Sequence, residues 1–309
     1  MTPLVTIAIP CFNNAQWLRQ AVESALTQTW PAVEVIVVDD GSTDGSPEIA
    51  QSFGPRIRLF QTAHAGAPQA RNQALEQARG EWVQFLDADD YLDPDKIAQQ
   101  FAETAGGENA DVIYSPVWIE TMADGGATRT RSETHPKRDI YAQWLAWHIP
   151  QTGGALWRKS ALDALGGWTP GQPCCQEHEL YLRALCAGQR FVFAPTPHAV
   201  YRIWSEQTLC RRDPRLVIRE RTRLIDTLQT WLTARGAWTE EHRRTAGRAC
   251  FEMARTIAKY DLAEAAAYHR ERCACGLLRL DGPAAPAGYR LAHRLLGFTA
   301  AEKLAAFRR

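Results

Sequence analysis

Short apolar runs alternate with amphipathic stretches along the first 118 residues of the chain. Residues 4–10 and 33–40 are nearly continuous apolar runs, which is typical of strands buried on both faces. Between them apolar residues recur at helical spacing, and Asn13 or Asn14 can cap that helix. The same alternation predicts further strands at 57–61, 82–86 and 111–117, with a helix at 67–78.

Strands separated by helices predict an α/β fold with a mainly parallel sheet and right-handed crossovers. In such a sheet, ligands bind beyond the carboxyl ends of the strands. Three polar clusters follow predicted strands, at residues 10–14, 39–43 and 87–90, and we expect them to meet at that edge. Asp44, next to the second cluster, is expected to cap the following helix.

The pattern changes after about residue 118. Residues 119–209 are less regular and hold a Gly-rich turn at 124–126, a Trp-rich helix near 144–148 and a helix through 180–187. From about residue 213 the pattern is helical. We therefore expect a first domain at 1–209, divided near residue 118, and a helical C-terminal region at 210–309. Its expected helices are 219–235, 240–259, 262–278 and 289–308.

Composition narrows the class of protein. The 309 residues are 45% hydrophobic, and 35 basic residues balance 35 acidic ones. The apolar content supports a folded core, while the zero net charge does not favour a nucleic-acid partner. Because no apolar stretch has the roughly 20 residues of a membrane span, and no signal peptide is evident, we expect a cytoplasmic protein. The eight cysteines lack zinc-ligand spacing and are expected to be reduced thiols.

Two carboxylates close together at a strand end, Asp87 and Asp89, stand beside a third, Asp90. Such a density of negative charge is costly unless a cation offsets it. Carboxylate oxygens suit a hard divalent cation, Mg²⁺ or Mn²⁺. The alternative from this triplet alone is a solvated acidic turn that caps the next helix.

Two further side chains suit binding of an anionic, hydroxyl-bearing ligand. Asp40, at the end of the second strand, can accept hydrogen bonds from a base N–H or a ribose hydroxyl, or it can serve a simple Asp-Gly turn. Arg71, near a helix start, suits phosphate oxygens, with a surface salt bridge as its alternative. The lone histidines, including His64, are expected to be packing or surface residues.

Four segments together resemble glycosyltransferase family 2. They are VTIAIPCFNNAQWLRQAVESALTQTW, VEVIVVDDGSTDGS, GAPQARNQALEQARGEWVQFLDADDYLDPDKI and GGWTPGQPCCQEHELYLRAL. The resemblance covers about residues 4–205. It implies the GT-A fold and inverting, metal-assisted transfer from a nucleotide sugar. Residues 1–118 then correspond to the nucleotide-binding half and 119–209 to the acceptor half.

The resemblance also assigns residues on the donor side. Pro10 and Phe12 stand where the family lines the nucleotide base, and Asp40 stands where a carboxylate contacts base or ribose. Arg71 stands near the nucleotide and its diphosphate. The Asp-x-Asp motif is matched at residues 87–89. It makes Asp89 the direct metal ligand, places Asp87 nearer the ribose, and includes Ala88 among the nucleotide-sugar-binding residues.

The general base of the family corresponds to Glu177, in a segment that reads Gln-Glu-His-Glu-Leu. Gln176 replaces the usual first Glu, so Glu179 remains a second candidate. A further departure is Trp204, since many relatives have His there. Arg202 is expected to reach the diphosphate or the acceptor.

The acceptor side is expected to be lined by aromatic residues, because their faces are apolar and can stack on sugars. Trp157, Trp168 and Trp204 are nearest to it in the sequence pattern, and core packing is the alternative for each. The acceptor implied by the resemblance is a glycan or a lipid-linked glycan, as in cell-surface polysaccharide synthesis.

The sequence fits two other enzyme classes less well. Nucleotidyl transfer is disfavoured because the first loop is neither Gly-rich nor basic, and a dehydrogenase is disfavoured because no GxGxxG follows the first strand. A catalytically inactive sugar-nucleotide-binding or scaffold protein remains an alternative because of the two departures. The basic amphipathic helix at 289–308 leaves three roles open: packing on the catalytic domain, a homodimer, and peripheral contact with the inner face of the cell membrane.

Overall fold

The computed structural model describes residues 2–123, 126–134, 139–205 and 213–307. The chain divides into two compact units. The first unit comprises Met1–Pro136 and Ile149–Thr208, and the second, here called the helical unit, comprises Lys137–His148 and Leu209–Arg309. The predicted boundary at residue 209 lies outside the described residues and stays a prediction. Residues 139–148, expected in the acceptor half, belong to the helical unit instead.

Eleven strands and eleven α-helices are found within the described ranges. The strands are β1 (Val5–Cys11), β2 (Val33–Asp39), β3 (Arg58–Gln61), β4 (Trp82–Phe85), β5 (Tyr91–Leu92), β6 (Val112–Tyr114), β7 (Trp118–Ala123), β8 (Gly126–Arg131), β9 (Ala155–Arg158), β10 (Phe191–Phe193) and β11 (Ala199–Ile203). The helices are α1 (Ala15–Leu26), α2 (Ser46–Gln51), α3 (Ala67–Gln77), α4 (Lys96–Glu103), α5 (Ile140–Leu145), α6 (Lys159–Leu165), α7 (Gln176–Cys186), α8 (Pro214–Thr233), α9 (Glu240–Ile257), α10 (Leu262–Ala274) and α11 (Ala287–Ala306).

A seven-stranded sheet in the order β10-β6-β9-β4-β1-β2-β3 forms the centre of the first unit. Its neighbours pair in parallel except at β9, which runs antiparallel to both β4 and β6. The predicted mainly parallel α/β fold is therefore confirmed. Every residue of β1 is buried, as its continuous apolar run predicted, and α1 covers the sheet with Leu18 and Val22.

The register of the parallel strands brings the polar clusters that follow β1, β2 and β4 to one edge of the sheet. Cys11 lies opposite Asp39 at the carboxyl ends of β1 and β2, and Ala8 lies opposite Phe85 at the end of β4. The predicted helix caps differ in detail. Asn14 precedes α1 but makes no side-chain cap, and the carboxylate of Asp44 accepts from the amides of both Ala15 and Ser46 at 2.9 Å. One aspartate thus serves the first turns of two helices.

A second, four-stranded sheet was missed by the sequence pattern, which had treated residues 119–209 as irregular. Its order is β5-β11-β7-β8, and β7 and β8 form an antiparallel hairpin. Two residues of the predicted Gly-rich turn, Asp124 and Gly125, lie outside the described residues. This sheet matters for the site because β5 follows the aspartate cluster directly and pairs with β11, which carries Arg202.

The helical unit contains α5 and α8–α11, so the helices predicted after residue 213 are confirmed with shifted ends. Asp139 caps α5 by accepting from the Ala142 amide, and it also contacts His242 of α9 at 2.7 Å. α11 is interrupted at Gly297, whose φ of 78° is not helical. Across the described ranges, no helix combines the length and the apolar character needed to cross a bilayer.

Candidate active site

Asp40 and Phe12 lie together beyond the ends of β1 and β2. The carboxylate of Asp40 is only 2% exposed and accepts from the amides of Ala65 and Gly66, each at 2.8 Å. Its Oδ2 also lies 2.9 Å from Nδ1 of His64. The His64 ring in turn stacks on Phe12, with 4.0 Å between ring centroids. Because each carboxylate oxygen offers two lone pairs, Asp40 can organise this loop and still accept from a ligand.

Phe12 is 41% exposed, which is unusual for a phenylalanine beside a buried strand. Its ring and that of His64 present a flat aromatic surface of the kind on which a base stacks. Pro10, by contrast, is buried within β1 opposite Val38. The His64 side chain is 55% exposed and packs on Phe12, which agrees with the expectation that it is a packing or surface residue.

The aspartate cluster lies immediately after β4. Asp87 accepts from the guanidinium of Arg71 at 2.6 Å, and a second nitrogen of Arg71 donates to Oε1 of Gln176 at 2.7 Å. Arg71 is buried and lies over the ring of Trp168 at 4.5 Å. Its Nε has no hydrogen-bond partner within the described structure. One arginine therefore links the aspartate cluster to the first residue of α7.

Charge is concentrated at Asp87–Asp90. Burial raises the pKa of Asp89, and the neighbouring charge of Asp87 raises it further. Burial and the charges of Asp89 and Asp87 also raise the pKa of Asp90 well above its ordinary value. Burial is the largest cause of both shifts, so the charged forms of these carboxylates are disfavoured, and a bound cation would offset that cost.

Residues at the carboxyl end of β11 contact the aspartate cluster at residues 87–90. Arg202 is buried between the rings of Trp17 and Tyr91, at 4.0 and 5.0 Å from its guanidinium carbon. Its guanidinium donates to the carbonyl of Asp89 and to Gln20, and its backbone amide donates to Asp90 at 2.8 Å. The sequence predicts that Arg202 reaches the diphosphate or the acceptor, and that role stays a prediction. The structure places Arg202 behind the cluster, with these donors bound to protein groups.

Trp204, two residues further along, is 38% exposed and donates from its indole Nε1 to Oδ2 of Asp89 at 2.8 Å. Its ring also lies beside Trp17, with 6.1 Å between centroids. The tryptophan that replaces the usual histidine thus contacts the same carboxylate that the resemblance makes a metal ligand. Indole cannot bind a cation through nitrogen as imidazole does, because its N–H is a donor only.

Glu177 and Glu179 have different surroundings at the start of α7. Glu177 is partly exposed, and Thr152 donates to one of its oxygens at 3.0 Å. Glu179 is buried in contacts with Arg183 at 2.8 and 3.0 Å and with Thr169 at 3.0 Å. Both carboxylate oxygens of Glu179 are engaged by Arg183, whereas Glu177 is partly exposed, so accessibility favours Glu177 as the candidate general base.

The aromatic residues assigned to the acceptor side are mainly internal. Trp157 is buried and stacks on Tyr181 at 5.4 Å, and Trp168 is buried edge-on against Phe85 at 5.1 Å. Both line the small cavity that Glu177 also borders. They support the wall of this cavity from within the core. Ala88 is buried between the two aspartates, where it has no polar side chain to offer.

The donor set fits a hard divalent cation. Within the described residues, no cluster of three or more His, Cys, Asp or Glu could hold a metal by itself. Mg²⁺, however, is commonly held by one or two carboxylates, with substrate phosphates and water completing its coordination. Asp87 and Asp89 are oxygen donors of that kind, each tied by one hydrogen bond and each with lone pairs remaining.

Comparison with known proteins agrees with this geometry. The sequence model of "Glycosyl transferase family 2" matches residues 6–166. EpsH of Bacillus subtilis strain 168, named as a glycosyltransferase, is 37% identical over 170 residues, which cover 53% of this chain and 49% of that protein. The chain spans no more than half of the length of the curated relatives that it matches.

Solved structures give the same fold. S. aureus TarS 1–349 superimposes with a TM-score of 0.65 at 17% identity, covering 99% of this chain and 92% of that chain. Its complex with UDP-GlcNAc gives 0.58 at 16% identity, covering 87% of each chain. The mannosyltransferase PcManGT from Pyrobaculum calidifontis, in complex with GDP-Man and Mn²⁺, gives 0.53 at 18% identity, covering 99% and 88%. These likenesses confirm the expected GT-A fold.

Proposed function

Because the chain belongs to glycosyl transferase family 2, we propose that it is an inverting glycosyltransferase that moves a sugar from a nucleoside-diphosphate donor to an acceptor hydroxyl. The observation that carries this proposal is the position of Arg71. Its guanidinium donates to Asp87 on one side and, on the other, to Gln176, the residue before Glu177. The guanidinium of Arg71, the acidic cluster at residues 87–90 and the carboxylate of Glu177 are thereby brought into one site.

The nucleotide is proposed to bind beyond β1 and β2. The exposed ring of Phe12 offers the base a stacking surface, and Asp40 offers lone pairs to a base N–H or a ribose hydroxyl. Pro10 shapes the strand end beneath them. Asp87 and Ala88 are assigned to the ribose and sugar side by the family resemblance. Structures of proteins with this fold contain UDP-GlcNAc in one case and GDP-Man in another, and these are the donor classes to test first.

The diphosphate is proposed to lie between Arg71 and a divalent cation, Mg²⁺ or Mn²⁺, held by Asp89 directly and by Asp87. The structure of PcManGT with GDP-Man and Mn²⁺ supports this choice of ion. When bound, such an ion offsets the charge that grows on the departing diphosphate. Arg71 contributes to the same stabilisation through its guanidinium.

The proposed reaction is a single displacement. The carboxylate of Glu177 takes the proton of the acceptor hydroxyl, and Thr152 holds that carboxylate in place. The acceptor oxygen forms a bond to the anomeric carbon, while the bond from that carbon to the phosphate oxygen breaks. The electron pair leaves with the nucleoside diphosphate. Attack from the face opposite the leaving group inverts the anomeric configuration.

The acceptor is proposed to be a glycan hydroxyl, either free or lipid-linked, of the kind assembled at cell surfaces. The buried pair Trp157 and Trp168 supports the wall beside Glu177, and the exposed indole of Trp204 offers an apolar face near Asp89. Apolar ring faces suit the C–H faces of sugars. We propose that Glu179 and Arg202 position other groups of the site. Glu179 acts through its ion pair with Arg183, and Arg202 acts through its contacts with the aspartate cluster.

The inactive-scaffold alternative rested on Gln176 and Trp204. Both side chains make specific contacts to the proposed machinery, Gln176 to Arg71 and Trp204 to Asp89. Gln176 is also anchored through its amide nitrogen, which donates to the carbonyl of Gln172 at 3.0 Å. Because each replacement supplies a hydrogen bond within the site, neither favours loss of activity.

The deciding experiment measures nucleoside-diphosphate release from a panel of nucleotide sugars with Mn²⁺. We expect release with at least one donor, and we expect Asp89→Asn to lower it by a factor of about 10² to 10³. Asp95→Asn is the matched control, because that exposed aspartate contacts only Thr29 at 2.8 Å among side chains of the described residues. Calorimetry with UDP and GDP separates loss of catalysis from loss of binding.

Two outcomes would contradict the proposal. In the first, Asp89→Asn releases product as fast as the Asp95→Asn control. In the second, the unmodified chain binds a nucleoside diphosphate with Mn²⁺ but neither hydrolyses nor transfers any donor of the panel. The second result would establish the scaffold alternative.

A further inference from the structure

The outward face of α11 carries a row of large apolar side chains. Leu295 is 70% exposed and Phe307 is 91% exposed, and Leu291, Leu296 and Leu304 are exposed as well. Single exposed leucines are ordinary in folded proteins, but four large apolar residues turned to the outward side of α11 and of its C-cap, Leu291, Leu295, Leu304 and Phe307, form an unusual apolar surface. Such surfaces mark contacts with a partner or with a membrane.

Helix geometry places the exposed apolar residues opposite a buried anchor in each half of α11, before and after the break at Gly297. Tyr289 and Phe298 are buried and anchor the two halves of α11 on the helical unit. At about 100° per residue, Leu291 and Leu295 lie roughly 200° and 240° around the helix from Tyr289. Leu304 and Phe307 lie roughly 240° and 180° from Phe298. Leu291 and Leu295 in the first half, and Leu304 and Phe307 in the second, therefore point away from the buried anchor of their half. Leu296, roughly 340° from Tyr289, lies beside the anchor and is not part of this face.

Charge on the same face has one sign. Arg290, Arg294 and Lys303 are exposed. The one acidic residue of α11, Glu302, is buried and pairs with Arg255 of α9 at 2.7 Å. The outward face of α11 thus combines apolar and cationic side chains, with its acid turned inward.

We propose that the outward face of α11 binds the surface of an anionic lipid bilayer, lying in the plane of the interface. Leu291, Leu295, Leu304 and Phe307 enter the boundary between headgroups and acyl chains, and the basic side chains contact lipid phosphates. A helix with an apolar face flanked by Lys and Arg is suited to this position. The inference stands on the helical unit alone and does not depend on the proposed sugar transfer.

Charge argues against a second copy of the chain as the occupant. A two-fold dimer formed through this face would pack the face against an identical copy of itself. Arg290, Arg294 and Lys303 would then approach a surface whose charges from α11 are cationic, because Glu302 is buried, and like charges across an interface are unfavourable. An anionic bilayer offers the complementary charge.

The test is co-sedimentation with two kinds of vesicle, pure phosphatidylcholine and phosphatidylcholine mixed with phosphatidylglycerol. We expect binding to the mixed vesicles, weakened by added salt. The double variant Leu295→Glu with Phe307→Glu should weaken this binding by about tenfold or more, because it removes apolar contact and adds repulsion. Both residues are exposed, so the fold should be retained, and circular dichroism checks this.

Met122→Glu is the matched control, since Met122 is an exposed apolar residue of β7 in the first unit. Arg294→Glu tests the charge term and should reduce both binding and its salt dependence. Three results would overturn the proposal. The first two are no binding to the mixed vesicles and equal binding by the double variant. The third is a dimer in light scattering that the double variant dissociates, together with no binding of the unmodified chain to vesicles. If the chain binds vesicles but turns over no sugar donor, the proposed sugar transfer is refuted and the proposed membrane contact stands.

Discussion

Trp204 fixes the carboxylate of Asp89 through a 2.8 Å hydrogen bond from its indole nitrogen to Oδ2. The backbone of the same strand end holds the neighbouring Asp90 through the Arg202 amide, also at 2.8 Å. β11 therefore sets the orientation of two successive carboxylates. With Oδ2 engaged by the indole, Oδ1 of Asp89 is the oxygen better placed to face a cation. We therefore propose that Trp204 is a positioning residue for Asp89, because its indole nitrogen has no lone pair for a metal.

We predict that Trp204→Phe weakens Mn²⁺ binding by about 10-fold to 100-fold in the presence of a nucleoside diphosphate, the usual effect of removing a hydrogen bond to a metal ligand. The substitution keeps an aromatic ring and removes the donor. Trp204→His restores an N–H and should recover most of the affinity. Electron paramagnetic resonance of free Mn²⁺ measures this without turnover. Trp238→Phe, in the helical unit, serves as the control. Equal affinity for Mn²⁺ in Trp204→Phe and the unmodified chain would contradict the assignment.

The two glutamates of α7 give a second prediction. Glu177→Gln should lower kcat by about 10² to 10⁴ and leave the KM for the donor nearly unchanged, because the amide cannot accept the acceptor proton. Glu179→Gln should change kcat by less than about tenfold but lower the melting temperature, because it breaks the ion pair with Arg183. Steady-state kinetics and thermal unfolding of both variants make the comparison. An equal loss of kcat in the two variants would show that the assignment of the base is wrong.

Much of the first unit could be predicted because its signals are local. Residues 4–10 and 33–40 are apolar runs too continuous for a half-exposed strand, and they became β1 and β2 at the centre of the sheet. The carboxyl ends of parallel strands share an edge, so the meeting of Asp40 with the end of β1 followed from topology alone. The family resemblance added the roles of residues 87–89.

Contacts that join distant segments could not be predicted. Trp204 and Asp89 are 115 positions apart, and Arg71 and Gln176 are 105 apart. No periodicity links such pairs, because their approach depends on the second sheet and on the start of α7. The second sheet itself was missed since its strands are short and partly exposed, so their alternation is weak. The position of Arg202 between the rings of Trp17 and Tyr91 could not be read from the sequence for the same reason.

We predict that the stability of the helical unit depends on pH through a pair of histidines. Nε2 of His269 in α10 lies 3.1 Å from Nε2 of His293 in α11, and the His269 ring stacks on Phe298 at 4.3 Å. One ring nitrogen must accept the hydrogen bond, so the contact requires at least one neutral imidazole. Burial, with smaller effects from His293 and Arg270, lowers the pKa of His269 to about 4. Burial lowers the pKa of His293 as well.

The helical unit should therefore lose stability as the pH falls from about 6.5, the ordinary histidine pKa, towards 4. In that window the unfolded chain binds more protons than the folded chain, so protonation favours unfolding, while above it both states are neutral and the effect vanishes. The loss is on the order of 1 kcal/mol, because water screens a half-buried ring. His269→Gln cannot titrate, so its stability deficit relative to the unmodified chain should shrink by that amount between pH 7.5 and pH 5 (about one unit above and 1.5 below the ordinary value). Urea unfolding followed at both pH values measures the two deficits. A deficit that stays constant would show that protonation of His269 is not coupled to folding.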